Sequence, residues 1–447
     1  MADYGKKRFL VIDDQPLARD ALRTIAQMLG AFAVEFASNY QDAIFRIRNN
    51  APDIILCDYE LGDGRSGQQL LEELRRFNLL PDECIFMMVT GEQSYEQVVS
   101  AVELVPDDYI IKPFAPDKLM LRLDRIMAKK NFFAAYYREK RRQEFASALA
   151  ILQAQRDSEA GRPYRFEILR QQAEVQLASG AAEAAEDTYR DILQDYNFPW
   201  ARAGVARSLQ RQKRLSEARA EIEKVVAGTP HYFDAADVKA SICLDQGEPE
   251  EAQKTLDAVA KKTPRNYQRK RLLAEAAILN GDAETARNAL ADVVANDSMP
   301  GAVAPEDRLA LARGHVAAKD NISAEKVLVS LRDTEVQNLN LAAQASYVAL
   351  LAISSPERGK PRFAGLRPAL LATELESTPR LDVLRAALVL ADHELADRQC
   401  ERLMAGSDAK KLFGTMRGLY ALHGREVDFR DIQREVALRR IHHDDAA

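Results

Sequence analysis

Five short runs of almost continuous apolar residues, all before residue 112, limit what this chain can fold into more than any other feature. Four are Arg8–Ile12 (RFLVI), 53–57 (DIILC), 85–89 (IFMMV) and 109–111; a weaker one is Ala33–Ala37. A strand with one wet face alternates apolar and polar residues, so runs that are apolar throughout are buried on both faces. Amphipathic stretches at 17–29, 41–49, 67–77 and 94–105 separate them. Strand and helix in alternation predict a parallel sheet covered by helices on both sides.

Five such units suit an α/β, doubly wound, flavodoxin-like fold of strand order 2-1-3-4-5. After Asp117 no strong helix breaker occurs until Gly161 and Pro163. An unbroken helical run over 118–159 is therefore expected, acting as a stiff connector, since Gly, Ser and Pro enrichment is missing there.

From about residue 130 every segment reads as helix, and a period emerges. Ala185, Ala218, Ala252 and Ala286 are 33, 34 and 34 residues apart, and Tyr189, Ile222, Leu256 and Leu290 follow each by four. Pro230 and Pro264, and Gly247 and Gly281, are also 34 apart. A small residue lets two helices approach, a glycine turns the chain and a proline ends the second helix. This resembles the tetratricopeptide repeat, most closely in QGEPEEAQKTLDAVAKKTP (246–264). The series extends less cleanly to Ala148/Leu152 and Ala324/Leu328 and fades beyond residue 330, while only the pair Trp200 and Gly204 meets the rest of the signature. The expected organisation is an α/β domain at 6–127, a helical connector or first degenerate repeat at 128–162, tetratricopeptide-like repeats at 163–300, and degenerate repeats with a cap at 301–447. The region after residue 127 is thus expected to be an all-α solenoid.

Acidic, hydroxyl and basic residues fall where strands of such a sheet end. Strand one ends in Asp13–Asp14, strand three in Asp58, strand four in Thr90 and strand five in Lys112, followed by Pro113–Phe114. Phosphorylating a carboxylate needs a nucleophilic Asp, acids that hold a metal ion, and a hydroxyl and a lysine for the phosphoryl oxygens. In VIDD, CDYEL, MMVTGE and DDYIIKPF, taken in order, residues 6–127 resemble the receiver domain of two-component response regulators. The resemblance implies Asp58 as phosphoacceptor, with Mg²⁺ held by Asp13, Asp14, Asp58 and the backbone carbonyl of Glu60. It implies Thr90 and Lys112 as phosphoryl-binding residues and Tyr109 as the switch aromatic. The chain departs from the family in Leu61-Gly62, where Met-Pro is common, and in Pro106, where Gly-Ala is usual. The loop up to Gly67 also reads one residue longer, and Glu60 and Glu92 flank the site.

Charge bears on the partners. Residues 1–127 carry 14 basic against 21 acidic residues, while the remainder balances to +1. Without basic excess, a transcriptional output with a basic recognition helix is disfavoured. The run REKRR (138–142) reads as a solvated helix face. No phosphate-binding glycine loop, no GxSxG and no spaced metal ligands occur outside the acidic set, which weighs against a cryptic enzymatic output. The tail His442-His443-Asp444-Asp445 reads as a frayed terminus. Cys57, Cys84, Cys243 and Cys400 read as separate buried thiols, and neither a membrane span nor a signal segment is evident, so a cytoplasmic protein is expected. The expected activity is phosphoacceptor chemistry alone, not an enzyme's turnover. Expected partners are a sensor histidine kinase or phosphotransfer protein, an unnamed target protein on the repeats and a second copy of the chain, with neither nucleic acid nor membrane.

Overall fold

A computed structural model describes residues 4–62, 66–76, 79–91, 106–263, 266–295, 305–331 and 333–444. The expected helix at 94–105, Glu92, Pro264 and Asp445 lie outside the described residues, as do the side chains of His442 and His443. The chain divides into two compact units, Met1–Val238 with Lys261–Tyr267, and Lys239–Ala260 with Gln268–Ala447. The first helical hairpins fall in the same compact unit as the sheet.

The sheet has the expected order. Strands β1 (Arg8–Ile12), β2 (Ala33–Ala37), β3 (Ile54–Cys57), β4 (Ile85–Thr90) and β5 (Asp108–Ile111) pair in parallel as β2-β1-β3-β4-β5. Register is continuous across the centre, with Ile12 beside Cys57, Cys57 beside Met88 and Thr90 beside Ile111. Helices α1 (Pro16–Met28), α2 (Tyr40–Asn50), α3 (Gly67–Arg76) and α4 (Pro116–Arg141) follow. On one face Phe9, Val11, Ile54, Leu56, Met87 and Val89 pack with Leu22 and Ile25 of α1 and with Leu119, Leu123 and Ile126 of α4. The alternate strand residues Leu10, Ile12, Ile55, Phe86 and Met88 are equally buried, which is why the strand runs carry no polar alternation.

The helical run from 118 to 159 is broken. Helix α4 ends at Arg141, Gln143 takes a left-handed conformation (φ 60°), and α5 (Phe145–Asp157) turns back. Glu144 N–H bonds the Glu139 carbonyl, closing the αL turn that ends many helices. Phe133, Tyr136 and Tyr137 of α4 then pack on Ala148 and Leu152 of α5. The end of the sheet domain's last helix is thus the first arm of a helical hairpin. REKRR is largely exposed, as expected of a solvated face, and its ion pairs lie at the surface: Lys140 with Asp82 at 3.4 Å, Arg141 with Glu83 and Arg142 with Glu139.

The same hairpin recurs further than the sequence series suggests. Left-handed residues turn the chain at Gln143, Gly180, Lys213, Gly247, Gly281, Lys319, Ala391 and Gly424. Five residues after each of the first seven stands a fully buried alanine: Ala148, Ala185, Ala218, Ala252, Ala286, Ala324 and Ala396. Four residues on from these lie buried Leu152, Tyr189, Ile222, Leu256, Leu290, Leu328 and Cys400. In the pair Leu341–Ser354 and Pro356–Ala372, Gly359 takes the alanine's place and Phe363 follows by four. A Cβ on Gly359 would lie 2.3 Å from the Ala352 backbone, so the helices meet too closely even for alanine.

Polar bonds recur beside this apolar contact. The residue after the small one reaches the residues flanking the next left-handed turn. Glu186 binds Gln212 and Arg214, and Gln253 binds Asn280 and Asp282. Arg287 pairs with Asp320, and Asp397 with Arg425. No described helix is long and apolar enough to cross a membrane. All four cysteines are buried free thiols, and burial pushes Cys84 and Cys400 up to about 12.

Candidate functional site

The ends of β1, β3 and β5 bring the expected acidic and basic side chains together. Asp58 follows β3 directly, and its N–H bonds the Ile12 carbonyl at 2.7 Å, while Asp13 N–H bonds the Ala37 carbonyl at 3.1 Å. Lys112 N–H bonds the Thr90 carbonyl at 2.7 Å, so β4 and β5 deliver the hydroxyl and the ammonium as neighbours. Lys112 Nζ donates to Asp13 Oδ2 at 2.6 Å and to Asp58 Oδ2 at 3.2 Å. Asp13 and Thr90 are buried, whereas the Asp58 side chain keeps 14% of its surface.

Neither acidic residue caps α1, because Gln15 occupies that place without a side-chain bond. Instead Asp13 Oδ1 accepts the Gln15 N–H at 2.9 Å, and Arg19 Nη1 binds the carbonyls of Asp13 and Asp14 at 2.6 and 3.1 Å. Asp13, Asp14 and Asp58 each offer a carboxylate oxygen, and these atoms lie within 4.8 Å of one another. Three carboxylates against one ammonium leave two negative charges, a donor set of hard oxygens that fits Mg²⁺. Glu60 stands in an isolated bridge with Ser66, in which Gly67 N–H bonds the carbonyl of the preceding Tyr59 at 2.8 Å. Tyr109 is partly exposed, and its carbonyl accepts from Arg122 at 3.0 Å.

Burial raises the Asp58 pKa; Lys112 opposes this, and the like charge of Asp13 adds to it. For Lys112 burial works against the ammonium, but the hydrogen bond to Asp13 and the charge of Asp58 prevail, and its pKa is raised. The site is therefore an acidic pocket whose charge is only part neutralised.

Two glycines shape it, and sequence reading gave neither this role. Gly62, at φ +74°, passes so close to Asp14 that a Cβ would sit 2.9 Å from its Cβ and Oδ2. The Leu61-Gly62 departure is thus fitted to the acidic pair. At Gly67 a Cβ would lie 2.3 Å from the Asp58 carbonyl oxygen, so α3 begins directly against Asp58.

A parallel sheet with this acid–lysine site at its strand ends defines a receiver fold, and comparison with known proteins agrees. Residues 9–124 match the response regulator receiver domain family, and that part of the chain is such a domain. The phosphate regulon transcriptional regulatory protein PhoB of Pseudomonas aeruginosa is 34% identical over 123 residues, and that of Escherichia coli 32%. Each alignment covers 28% of this chain and 52% of the relative, so the chain spans about half the length of the curated relatives it matches. Among solved structures, a CheY-like receiver domain protein from Methanospirillum hungatei is 28% identical over 28% of this chain and 96% of its own, with a TM-score of 0.25.

Proposed function

We propose that this chain is a two-component response regulator that takes a phosphoryl group on Asp58 from a sensor histidine kinase or phosphotransfer protein. The observation that carries this reading is the Lys112 bridge between Asp13 and Asp58, beside Asp14 and Thr90. Asp58 Oδ attacks phosphorus, and the donor's imidazole leaves with the bonding pair. Lys112 moves from the carboxylates to a phosphoryl oxygen, and Thr90 donates its hydroxyl to another. Bound Mg²⁺ would be held by Asp13, Asp14, Asp58 and the Glu60 carbonyl, and would offset charge between the acceptor and the incoming group.

The helical hairpins serve, in this reading, as a tetratricopeptide-like output that binds a target protein. Their recurrent small-residue contacts support it, as does an output charge without basic excess. The chemistry is confined to phosphorylation and self-hydrolysis at Asp58. Incubating the full chain with acetyl phosphate and Mg²⁺ should add one phosphoryl group by intact mass. Asp58→Ala should add none. An equal adduct on the variant would sink the assignment.

A further inference from the structure

Helix α3 carries an uncommon burden of buried polar side chains at its first turn. Ser66, Gln68 and Gln69 are all buried, although amide side chains usually face water. Part of the reason lies far along the chain. Gln69 Nε2 donates to the Tyr267 hydroxyl at 2.5 Å, and Tyr267 is itself buried. Tyr267 ends the segment Lys261–Tyr267, which belongs to the same compact unit as the sheet, although the helices on either side of it belong mainly to the other unit. Thr263 and Asn266 of this segment are buried too.

A continuous set of bonds joins this contact to the acceptor. Tyr59 N–H donates to Asp58 Oδ1 at 2.7 Å. The Tyr59 carbonyl accepts the Gly67 N–H at 2.8 Å, and its hydroxyl donates to Gln68 Oε1 at 3.2 Å. Gln69 Oε1 then accepts the Ser66 N–H at 2.9 Å, which leaves the Gln69 amide nitrogen aimed at Tyr267. Asp58 and Tyr267 are thus linked through Tyr59 and the first turn of α3.

We infer that the first turn of α3 is an intramolecular latch that holds Tyr267, with Asn266 beside it, on the unphosphorylated receiver, and that phosphorylation of Asp58 loosens it. The inference rests on the phosphoacceptor reading above. Esterification turns the ionised carboxylate into an acyl phosphate, so Oδ1 becomes an acyl oxygen of lower charge. The Tyr59 N–H then loses its charge-assisted bond, and such bonds are about twice as strong as neutral ones. Tyr59 also holds Gly67 and Gln68, so its shift moves the turn that carries Gln69. The close seat of Gly67 against the Asp58 carbonyl leaves little slack to absorb the movement.

Hydrogen exchange of the full chain, read on peptides spanning 259–268, tests both halves. Tyr267→Phe keeps the ring and removes the hydroxyl; exchange there should rise about fivefold, the effect of one net hydrogen bond. Beryllofluoride with Mg²⁺ should raise exchange in the same peptides of the wild type and leave Asp58→Ala unchanged. Linkage adds a third reading: a ligand that disfavours the latch binds better once the latch is gone. Beryllofluoride should therefore bind Tyr267→Phe more tightly than wild type, by about the same factor. Unchanged exchange in Tyr267→Phe would overturn the latch. Beryllofluoride binding without a change at 259–268 would overturn its control by Asp58. No beryllofluoride binding at all would overturn the phosphoacceptor reading and the switching with it, while Tyr267→Phe would still report whether the contact holds.

Discussion

Asp58 of the receiver and Glu186 of the second hairpin are both largely buried carboxylates beside cationic side chains, yet their pKa values move in opposite directions. At Asp58 burial raises it, and the nearby charge of Asp13 adds to the rise against Lys112. At Glu186 burial also pushes upward, but bonds from Gln212 and Arg190 and the charge of Arg214 outweigh it and the pKa falls. The difference lies in how many donors meet each carboxylate. Arg190 Nε, Gln212 Nε2 and Arg214 Nη1 all reach Glu186 at 2.8 Å, whereas Asp58 has the Tyr59 N–H and a single cation, Lys112, that it shares with Asp13. A structural charge is paired to completion; the Asp58 charge, which the proposed function reserves for a metal ion and a phosphoryl group, has fewer partners, at a cost in stability.

The sharpest break of that contrast is to strip a structural carboxylate of its cation. Arg313 binds buried Asp382 through two bonds of 2.8 and 2.6 Å within the second unit. Arg313→Met should cost about 3 kcal/mol, because it strands a buried charge. Urea unfolding measures the loss, and Arg313→Met with Asp382→Leu should recover most of it. A loss below about 1 kcal/mol would place this pair with weak surface bridges.

The acid site should respond with the opposite sign. Since its folded pKa is raised, ionised Asp58 destabilises the receiver once pH rises through that pKa. In metal-free buffer at pH 7, Asp58→Asn should melt a few degrees above wild type, and the gap should close as pH falls toward the unfolded carboxylate value of about 4. Mg²⁺ at a hundredfold excess over its dissociation constant should raise wild-type stability by about 2.7 kcal/mol and the variant's by less. A variant less stable than wild type without metal would remove the contrast.

How much of this was legible follows from the same chemistry. The strand order and the residues Asp13, Asp14, Asp58, Thr90 and Lys112 were readable because fixed chemistry sits at strand ends marked by apolar runs. The break after Arg141 was not, because a helix can end on a left-handed Gln143 as well as on glycine, at a cost of order 1 kcal/mol. Lys213, Lys319 and Ala391 hide turns in the same way, and Gly359 hides a contact that alanine makes elsewhere. The bonds between hairpins leave no sequence pattern because geometry is kept while identity changes: Glu with Arg, Gln with Asn, Arg with Asp. The Gln69–Tyr267 bond joins residues 198 apart, and no local pattern announces it.

The finest test of the contrast is the pH dependence of the Glu186 clasp. Its folded pKa is depressed, so its stabilisation is present above the unfolded glutamate value of about 4.3 and is lost as pH falls through the folded pKa. Glu186→Gln keeps the shape and one acceptor but removes the charge that Arg190 and Arg214 meet. At pH 7 it should cost about 1.5–3 kcal/mol, the range for hydrogen bonds to charged groups. Between about pH 5 and 3 the difference from wild type should shrink, because wild type then protonates the same carboxylate. Denaturant melts at several pH values measure this slope. A penalty that stayed constant with pH would assign the effect to packing and not to charge, and the clasp would then cease to be the counterpart of the acid site.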